Sequence, residues 1–235
     1  MNSRVLKFDD WLNHFLEKCA REAGQDVATY VARAVAAQMV ADARRADSAA
    51  LEDLMTHLSD SGAFAETTMP STSAAITDPG RLRALYVTGL LDSPAEEIYD
   101  RITRAAAAAL DAPSAAITLV EVERLFFKST VGMDAECAQD RQTHIDRSVC
   151  QYTVANGSTL ILEDARIHPV FKNHPVVRDG SVVAYLGIPL IDADGYAIGT
   201  LCVFDSKPRL WGTGHVQILT NLAQLAAERM FSQGA

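Results

Sequence analysis

The chain has 235 residues, of which 49% are hydrophobic and 22% are charged, and its formal net charge is −9. This composition is typical of a globular protein and excludes a wholly disordered or fibrous chain. The negative charge argues against a protein that coats nucleic acid or an anionic membrane with its whole surface.

The sequence shows neither a membrane span nor a signal peptide, and its cysteines are widely spaced. No run reaches the roughly 18 apolar residues of a membrane span, and charges interrupt the opening MNSRVLKFDDWLNHF, where a signal peptide would be apolar. The cysteines are Cys19, Cys137, Cys150 and Cys202. They form no CxxC pair, which favours neither a zinc knuckle nor a disulfide framework. We therefore expect a cytoplasmic protein with free thiols and no membrane partner.

Residues 1–60 predict a short strand followed by three helices. The strand covers residues 3–8, and Asp9 and Asp10 are typical of a helix start. Apolar residues at helical spacing follow, and Gly24 is expected to end this first helix. A second helix has its apolar face between Tyr30 and Met39, and a third, weaker helix lies near residues 51–58.

The predicted strand at residues 3–8 cannot satisfy its backbone hydrogen-bonding groups within its own chain. It therefore predicts pairing with a second copy. With the segments RVLKFDDWLNHFLEKCAREAG and QDVATYVARAVAAQMV, residues 3–45 resemble the ribbon-helix-helix family. The resemblance implies a homodimer whose paired strands lie in the major groove of double-stranded DNA.

The resemblance also indicates which side chains would contact DNA. The predicted DNA-binding residues are Ser3, Arg4, Val5 and Lys7. Lys7 is the strongest hydrogen-bond donor among the groove-facing positions, and Val5 suits contact with a thymine methyl group. The alternative is a helical dimerisation segment that begins with a strand and does not bind DNA.

A change in composition separates this segment from the rest of the chain. Between residues 61 and 77, seven of seventeen residues are Ser or Thr, and only Glu66 is charged. Such a stretch is typical of a linker. We therefore predict an N-terminal segment at residues 1–60, a linker at 61–77 and a second domain at 78–235.

The second domain is predicted to mix helices and strands. Helices are expected at residues 79–85, 95–110, 148–156 and 214–231, and strands at 115–122, 125–131, 159–163, 182–191 and 197–204. Pro94 is expected at the first position of the second helix, after Asp92 and Ser93 as start signals. An Asp-Gly turn between the last two strands predicts a hairpin. The fold class is therefore α+β.

The segments SVCQYTVANGSTLILEDARIHPVFKNHPVV and VVAYLGIPLIDADGYAIGTLCVFDSKPR closely resemble a GAF domain, and the resemblance covers about residues 79–233. It implies a six-stranded antiparallel sheet flanked by helices. A pocket is expected between one sheet face and residues 148–180. In relatives this pocket holds cyclic nucleotides, haem, bilins or small metabolites, or it is empty.

Five residues are candidate ligand contacts around the implied pocket: Cys150, Asp164, Phe171, Tyr185 and Cys202. The Asp164 carboxylate suits a ligand amine or guanidine, or else it caps the following turn. Phe171 and Tyr185 are expected either to stack on a flat ligand or to belong to the core. The sequence names no cofactor, and its histidines lack the spacing of a metal site.

Cys150 and Cys202 are expected to face the pocket as a pair of thiols. GAF-type reductases of free methionine sulfoxide use several cysteines around this cavity, and Cys137 and Cys150 lie near the positions of two of them. A reductase function would rest on Cys137, Cys150 and Cys202. The loop at residues 166–180 lacks a further cysteine that those enzymes carry. A nearby cation, Arg147, favours a reactive Cys150, whereas buried, inert thiols are the alternative.

The sequence contains no GxxxxGK[ST], GxGxxG, HExxH or GxSxG motif, so no catalytic output domain is expected. We interpret the chain as a cytoplasmic, homodimeric regulatory protein and not as an enzyme. Its GAF domain would bind a small molecule, and its N-terminal segment would bind DNA as a transcriptional regulator. The alternatives are a thiol-dependent reductase and a ligand-free interaction module.

Overall fold

The computed structural model describes residues 10–22, 27–45, 53–54, 71–133 and 139–232. The chain divides into two compact units, residues 1–70 and 71–235. In the first unit, helix α1 spans Asp10–Glu22 and helix α2 spans Val27–Arg45, and the two contact each other. Both helices match the prediction. The predicted strand, with Ser3, Arg4, Val5 and Lys7, lies outside the described residues.

The second unit contains the remaining described elements. Its helices are α3 (Ser73–Ile76), α4 (Pro79–Val87), α5 (Glu97–Ala109), α6 (Cys150–Asn156), α7 (Pro175–Arg178) and α8 (Thr213–Phe231). Its strands are β1 (Ser114–Val120), β2 (Arg124–Val131), β3 (Gln142–His144), β4 (Leu160–Leu162), β5 (Ala184–Ile191) and β6 (Ala197–Asp205). Single 3-10 turns lie at Ile145–Arg147, Ala165–Ile167 and Phe171–Asn173.

The strands form one antiparallel sheet in the order β3-β2-β1-β6-β5-β4. The predicted hairpin between β5 and β6 is confirmed, and Gly195 in its turn has a φ of 91°, a conformation that glycine adopts without strain. The expected six-stranded α+β fold is therefore confirmed. Among the described residues, no helix is long and apolar enough to cross a bilayer.

The two faces of the sheet are covered differently. Helices α5 and α8 pack against each other and against one face, where Ala115, Ile117 and Leu119 of β1 join the main apolar core. Because side chains alternate along a strand, Ala116 and Thr118 point to the opposite face. That second face is covered by α6 and the short helices between residues 145 and 178.

Three local predictions differ from the structure. Pro94 is not the first helical residue, because α5 begins at Glu97, and the Pro94 carbonyl instead accepts a hydrogen bond of 2.7 Å from Lys128 Nζ. Strand β3 was not predicted, since its three polar residues carry no strand pattern. Residues 73–76 of the predicted linker form α3 and bury Ile76.

Candidate functional site

A cavity of about 450 Å³ lies between the second face of the sheet and α6. On the sheet side it is lined by Ala116 and Thr118 of β1, Leu125 and Phe127 of β2, Tyr185 of β5, and Cys202 and Phe204 of β6. On the other side it is lined by Arg147, Ser148, Val149, Cys150, Val176, Ser181 and Val182. The exposed residues Gly132 and Ser181 lie at its rim, so the cavity opens to solvent.

The cavity brings together two cysteines that are far apart in sequence. Cys150 begins α6, and Cys202 lies on the central strand β6. Their sulfur atoms are 3.9 Å apart, and both side chains are buried. Cys202 also donates a hydrogen bond of 3.6 Å to the Ala116 carbonyl. The predicted thiol pair is thus present in the geometry, whereas Cys137 lies outside the described residues.

Tyr185 reaches the same pair from β5. Its hydroxyl donates to Cys150 Sγ at 3.5 Å and lies 3.2 Å from the Thr153 hydroxyl. Gly187 makes this position possible, because a Cβ there would collide with the Tyr185 ring and hydroxyl. The sequence signal for this role is a glycine two residues after the tyrosine on the same strand face, since a glycine inside a strand often marks a close approach.

Hydrogen bonding shifts the pKa values of the two thiols in opposite directions. The hydrogen bond with Cys202 lowers the pKa of the Cys150 thiol, and bonds from neighbouring hydroxyls, including that of Tyr185, act in the same direction against the effect of burial. The same bond with Cys150 raises the pKa of Cys202 well above its usual value. Burial keeps Tyr185 protonated by raising its pKa. Cys150 is therefore the sulfur that ionises first.

The Ser148 side chain, which was not a candidate site residue, lies in the cavity wall. It is only 2% exposed. Its hydroxyl makes no hydrogen bond to any described residue. A buried hydroxyl without a partner costs free energy, so this group is suited to a hydrogen bond with a molecule in the cavity.

Asp164 does not line the cavity, so the predicted contact with a ligand is not supported by its position. Its carboxylate accepts from the backbone N–H of Arg166 at 3.1 Å and caps the 3-10 turn. The same carboxylate pairs with the Arg166 guanidinium at 2.9 and 2.8 Å. The capping alternative of the sequence analysis therefore describes this residue, because its lone pairs are used locally.

Phe171 is also outside the cavity lining. Its ring packs edge-on against Tyr152, with the ring centroids 5.1 Å apart, and it is 5% exposed. The centroids of the His168 and Phe171 rings are also 5.1 Å apart. His168 Nδ1 accepts hydrogen bonds from the Val170 and Phe171 backbone N–H groups. These aromatic rings pack together, which matches the alternative that Phe171 belongs to the core.

His174 lies in the same aromatic core and links folding to pH. It is 1% exposed and contacts the Tyr152 ring. Burial lowers its pKa from the ordinary value of 6.5, and the nearby charges of Arg147, Asp146 and Asp179 partly offset one another. The folded protein therefore resists protonation of this side chain.

We expect the free energy of unfolding to fall as the pH drops below 6.5, because the unfolded chain then binds a proton that the folded chain excludes. One such group contributes a slope of up to about 1.4 kcal/mol per pH unit. His174→Phe should flatten the acid limb of stability measured by urea unfolding across this range. The exposed His144 offers a control, since His144→Gln should retain the wild-type slope. Equal slopes for all three proteins would contradict the assignment.

Metal ligands are not gathered at this cavity. In the part of the chain that the structure describes, no group of three or more His, Cys, Asp or Glu side chains is arranged to hold a metal ion. The polar groups that line the described cavity include the two thiols, the hydroxyls of Tyr185 and Ser148, and Arg147.

Comparison with known protein families identifies the family of the second domain. The GAF domain model matches residues 94–230, which is more than half of the chain. The chain therefore belongs to the GAF domain family. This confirms the resemblance seen in the sequence for the second domain.

Individual relatives match over part of their length. A cyclic di-GMP phosphodiesterase of Pseudomonas aeruginosa is 33% identical over 130 residues, which are 54% of this chain and 21% of that protein. The chain thus spans about a fifth of this curated relative.

Solved structures that match the chain include a GAF domain and a reductase. The GAF domain of an Acinetobacter phosphoenolpyruvate-protein phosphotransferase has a TM-score of 0.49 at 15% identity, covering 66% of this chain and 96% of that one. A free methionine-R-sulfoxide reductase from Neisseria meningitidis has a TM-score of 0.47 at 19% identity, covering 73% and 97%.

Proposed function

We propose that this chain is a regulatory protein whose GAF domain senses a small organic molecule bound in the cavity beside α6. The observation that carries the proposal is the cavity of about 450 Å³ with the buried, unpartnered Ser148 hydroxyl in its wall. Ligand pockets typically have volumes of about 300 to 1,000 Å³, apolar walls and a few polar groups that orient the ligand. Membership of the GAF family supports the same function.

Native mass spectrometry of the freshly purified chain tests this proposal. We expect a dimer that carries an additional small mass, which is released under denaturing conditions. Ala116→Leu, which fills the sheet side of the cavity, should lose that mass while keeping its thermal unfolding transition. A bare chain mass in repeated preparations would instead support the ligand-free interaction module.

Ser148→Ala separates ligand binding from folding. Because the Ser148 hydroxyl has no partner among the described residues, its removal should leave the free energy of unfolding unchanged or slightly higher. Retention of the co-purified molecule should weaken by about tenfold, as expected for one lost hydrogen bond. Titration of the ligand-free protein with the recovered molecule measures this change in dissociation constant.

Thr153→Val is the matched control for Ser148→Ala. The Thr153 hydroxyl is also buried, but it bonds to Tyr185, so we expect its loss to destabilise the protein by about 1 kcal/mol. If Ser148→Ala destabilises the chain as much as Thr153→Val does, then the Ser148 hydroxyl has a structural partner and this prediction is wrong.

The N-terminal unit is proposed to be the output, as a dimerising segment that contacts DNA. Helices α1 and α2 follow in the expected order. Val35 and Met39, one turn apart on α2, are 47% and 48% exposed. A second copy of the chain would cover such an apolar strip, as the ribbon-helix-helix resemblance implies.

Fluorescence anisotropy with a labelled mixed-sequence duplex tests the DNA contact. Affinity should fall steeply with salt, and Lys7→Ala should weaken it by about fivefold. Lys207→Ala removes the same charge from the second unit and should have no effect. Absence of binding at low salt would remove the DNA proposal, and a monomer in native mass spectrometry would remove the dimer.

A thiol-dependent reductase is the second candidate function, and the adjoining sulfurs of Cys150 and Cys202 in the cavity favour it. Turnover of free methionine sulfoxide with a thiol reductant is then expected, and Cys150→Ala should abolish it. Equal rates with and without the reductant would contradict this reading.

A further inference from the structure

The two buried sulfurs in the cavity wall suggest a modification chemistry that does not depend on a bound ligand. Cys150 and Cys202 are 52 residues apart in sequence, yet their sulfurs lie 3.9 Å apart. Both sulfurs line a cavity whose rim is exposed. A small polar oxidant can therefore reach the two buried sulfurs through this cavity.

We propose that Cys150 and Cys202 are a redox-sensitive pair, which hydroperoxides entering the cavity convert to a reversible intramolecular disulfide. The reaction requires the two thiols and a hydroperoxide that reaches them through the cavity, and no other ligand takes part in it.

The distance between the sulfurs suits this step. A disulfide has an S–S length of about 2.05 Å, so the present separation of 3.9 Å must shorten by about 1.9 Å. Cys202 lies on a central strand between β1 and β5, which holds its backbone. Cys150 is the first residue of the short helix α6, so we expect most of the movement to come from its side chain.

The surroundings assign different roles to the two sulfurs. Cys150 accepts a hydrogen bond from Tyr185, whose hydroxyl is in turn within 3.2 Å of Thr153. This arrangement stabilises a thiolate on Cys150. The Cys202 sulfur lies 3.6 Å from the Ala116 carbonyl, an acceptor that favours the protonated thiol over the thiolate. Cys150 is therefore the attacking sulfur, and Cys202 is the resolving one.

The reaction balances in two steps. The Cys150 thiolate attacks one peroxide oxygen, an S–O bond forms as the O–O bond breaks, and the leaving hydroxide or alkoxide takes up a proton. Cys150 is now a sulfenic acid. The Cys202 sulfur then attacks the sulfenic sulfur, the S–S bond forms as the S–O bond breaks, and the departing hydroxide leaves as water with the Cys202 proton. Two electrons pass from the sulfurs to the peroxide, and a thiol reductant restores both cysteines.

Intact mass spectrometry of the full chain tests the proposal. The Cys19→Ser and Cys137→Ser variant leaves only the proposed pair. After treatment of the reduced protein with hydrogen peroxide, we expect a product lighter by two hydrogen atoms, with no free thiol. Non-reducing digestion should link the peptides that contain Cys150 and Cys202, and a thiol reductant should reverse the change.

Two further variants in the same background test the roles of the sulfurs. Cys202→Ser should stop the reaction at a Cys150 sulfenic acid that dimedone traps. Cys150→Ser should react at least about tenfold more slowly, because burial and the Ala116 carbonyl still favour the protonated form of Cys202. Tyr185→Phe should slow oxidation at neutral pH and shift the pH profile of the rate upward, an effect that a merely structural role would not produce.

The outcomes are distinct from those of the ligand experiment. Overoxidation of single cysteines without loss of two hydrogens, disulfides between separate chains, or no reaction at all would each overturn the proposal. If the background variant fails to fold, non-reducing digestion of the peroxide-treated wild-type chain gives the same linked peptides or their absence. A chain without a bound small molecule can still form the disulfide, so each proposal fails separately.

Discussion

Gly199→Ala is expected to prevent folding or to lower the free energy of unfolding by about 4 kcal/mol or more. Gly199 lies in β6, where it pairs with Leu119 of β1 and Leu190 of β5. A Cβ at this position would overlap the Thr118 carbonyl oxygen and lie 3.0 Å from its carbon. Both are main-chain atoms in the middle of the sheet, so neither can rotate away as a side chain would.

The matched control is Gly214→Ala in the first turn of α8. A Cβ at Gly214 would meet no atom within 4 Å, and alanine favours helix formation by up to about 1 kcal/mol over glycine. This variant should therefore be as stable as the wild type or more so in urea unfolding. If Gly199→Ala is expressed and unfolds within about 1 kcal/mol of the wild type, the close approach of β1 and β6 is wrong.

Arg81→Ala is expected to cost about 3 kcal/mol, because it leaves buried carbonyl groups without donors. The Arg81 side chain is 4% exposed. Its Nε and Nη2 donate to the Ile76 carbonyl at 3.1 and 2.6 Å, and its Nη1 donates to the Val120 carbonyl at 2.8 Å. The guanidinium therefore ties the end of α3 to the end of β1. Burial lowers its pKa, and these bonds compensate for the lost hydration.

Two variants bracket this effect. Arg83 is exposed on the same helix, so Arg83→Ala should change the free energy of unfolding by less than about 0.5 kcal/mol. Arg81→Lys keeps the charge but lacks the planar fork that reaches two carbonyls, and it should fall between the two. A cost for Arg81→Ala equal to that for Arg83→Ala would show that water reaches these carbonyls.

Local signals in the sequence predicted most of the second domain. Asp78 was not singled out as a start signal, but its side chain accepts from the Arg81 backbone N–H and caps α4. Gly157 ends α6 in the left-handed conformation, and Gly195 closes the hairpin. These residues act through their own backbone and nearest neighbours, so their effect is readable from sequence alone.

Other predictions depended on partners that are distant in sequence. Lys128, predicted only as part of a strand, is fully buried with Nζ 2.7 Å from Glu96. Strand β3 forms only because the edge of β2 offers hydrogen-bonding groups to its three residues. No local sequence pattern specifies that these tertiary contacts form.

The sequence by itself determined the family, the α+β class, the strand alternation and the presence of thiols near a pocket, because these follow from periodicity, turn residues and recognisable motifs. Only the tertiary structure decided which side chains meet. It placed Cys150 beside Cys202, brought Tyr185 to them over Gly187, and left the Ser148 hydroxyl facing the cavity. The physical reason is that sheet order and packing join segments separated by many residues, and this pairing is set by the whole core and by no single segment.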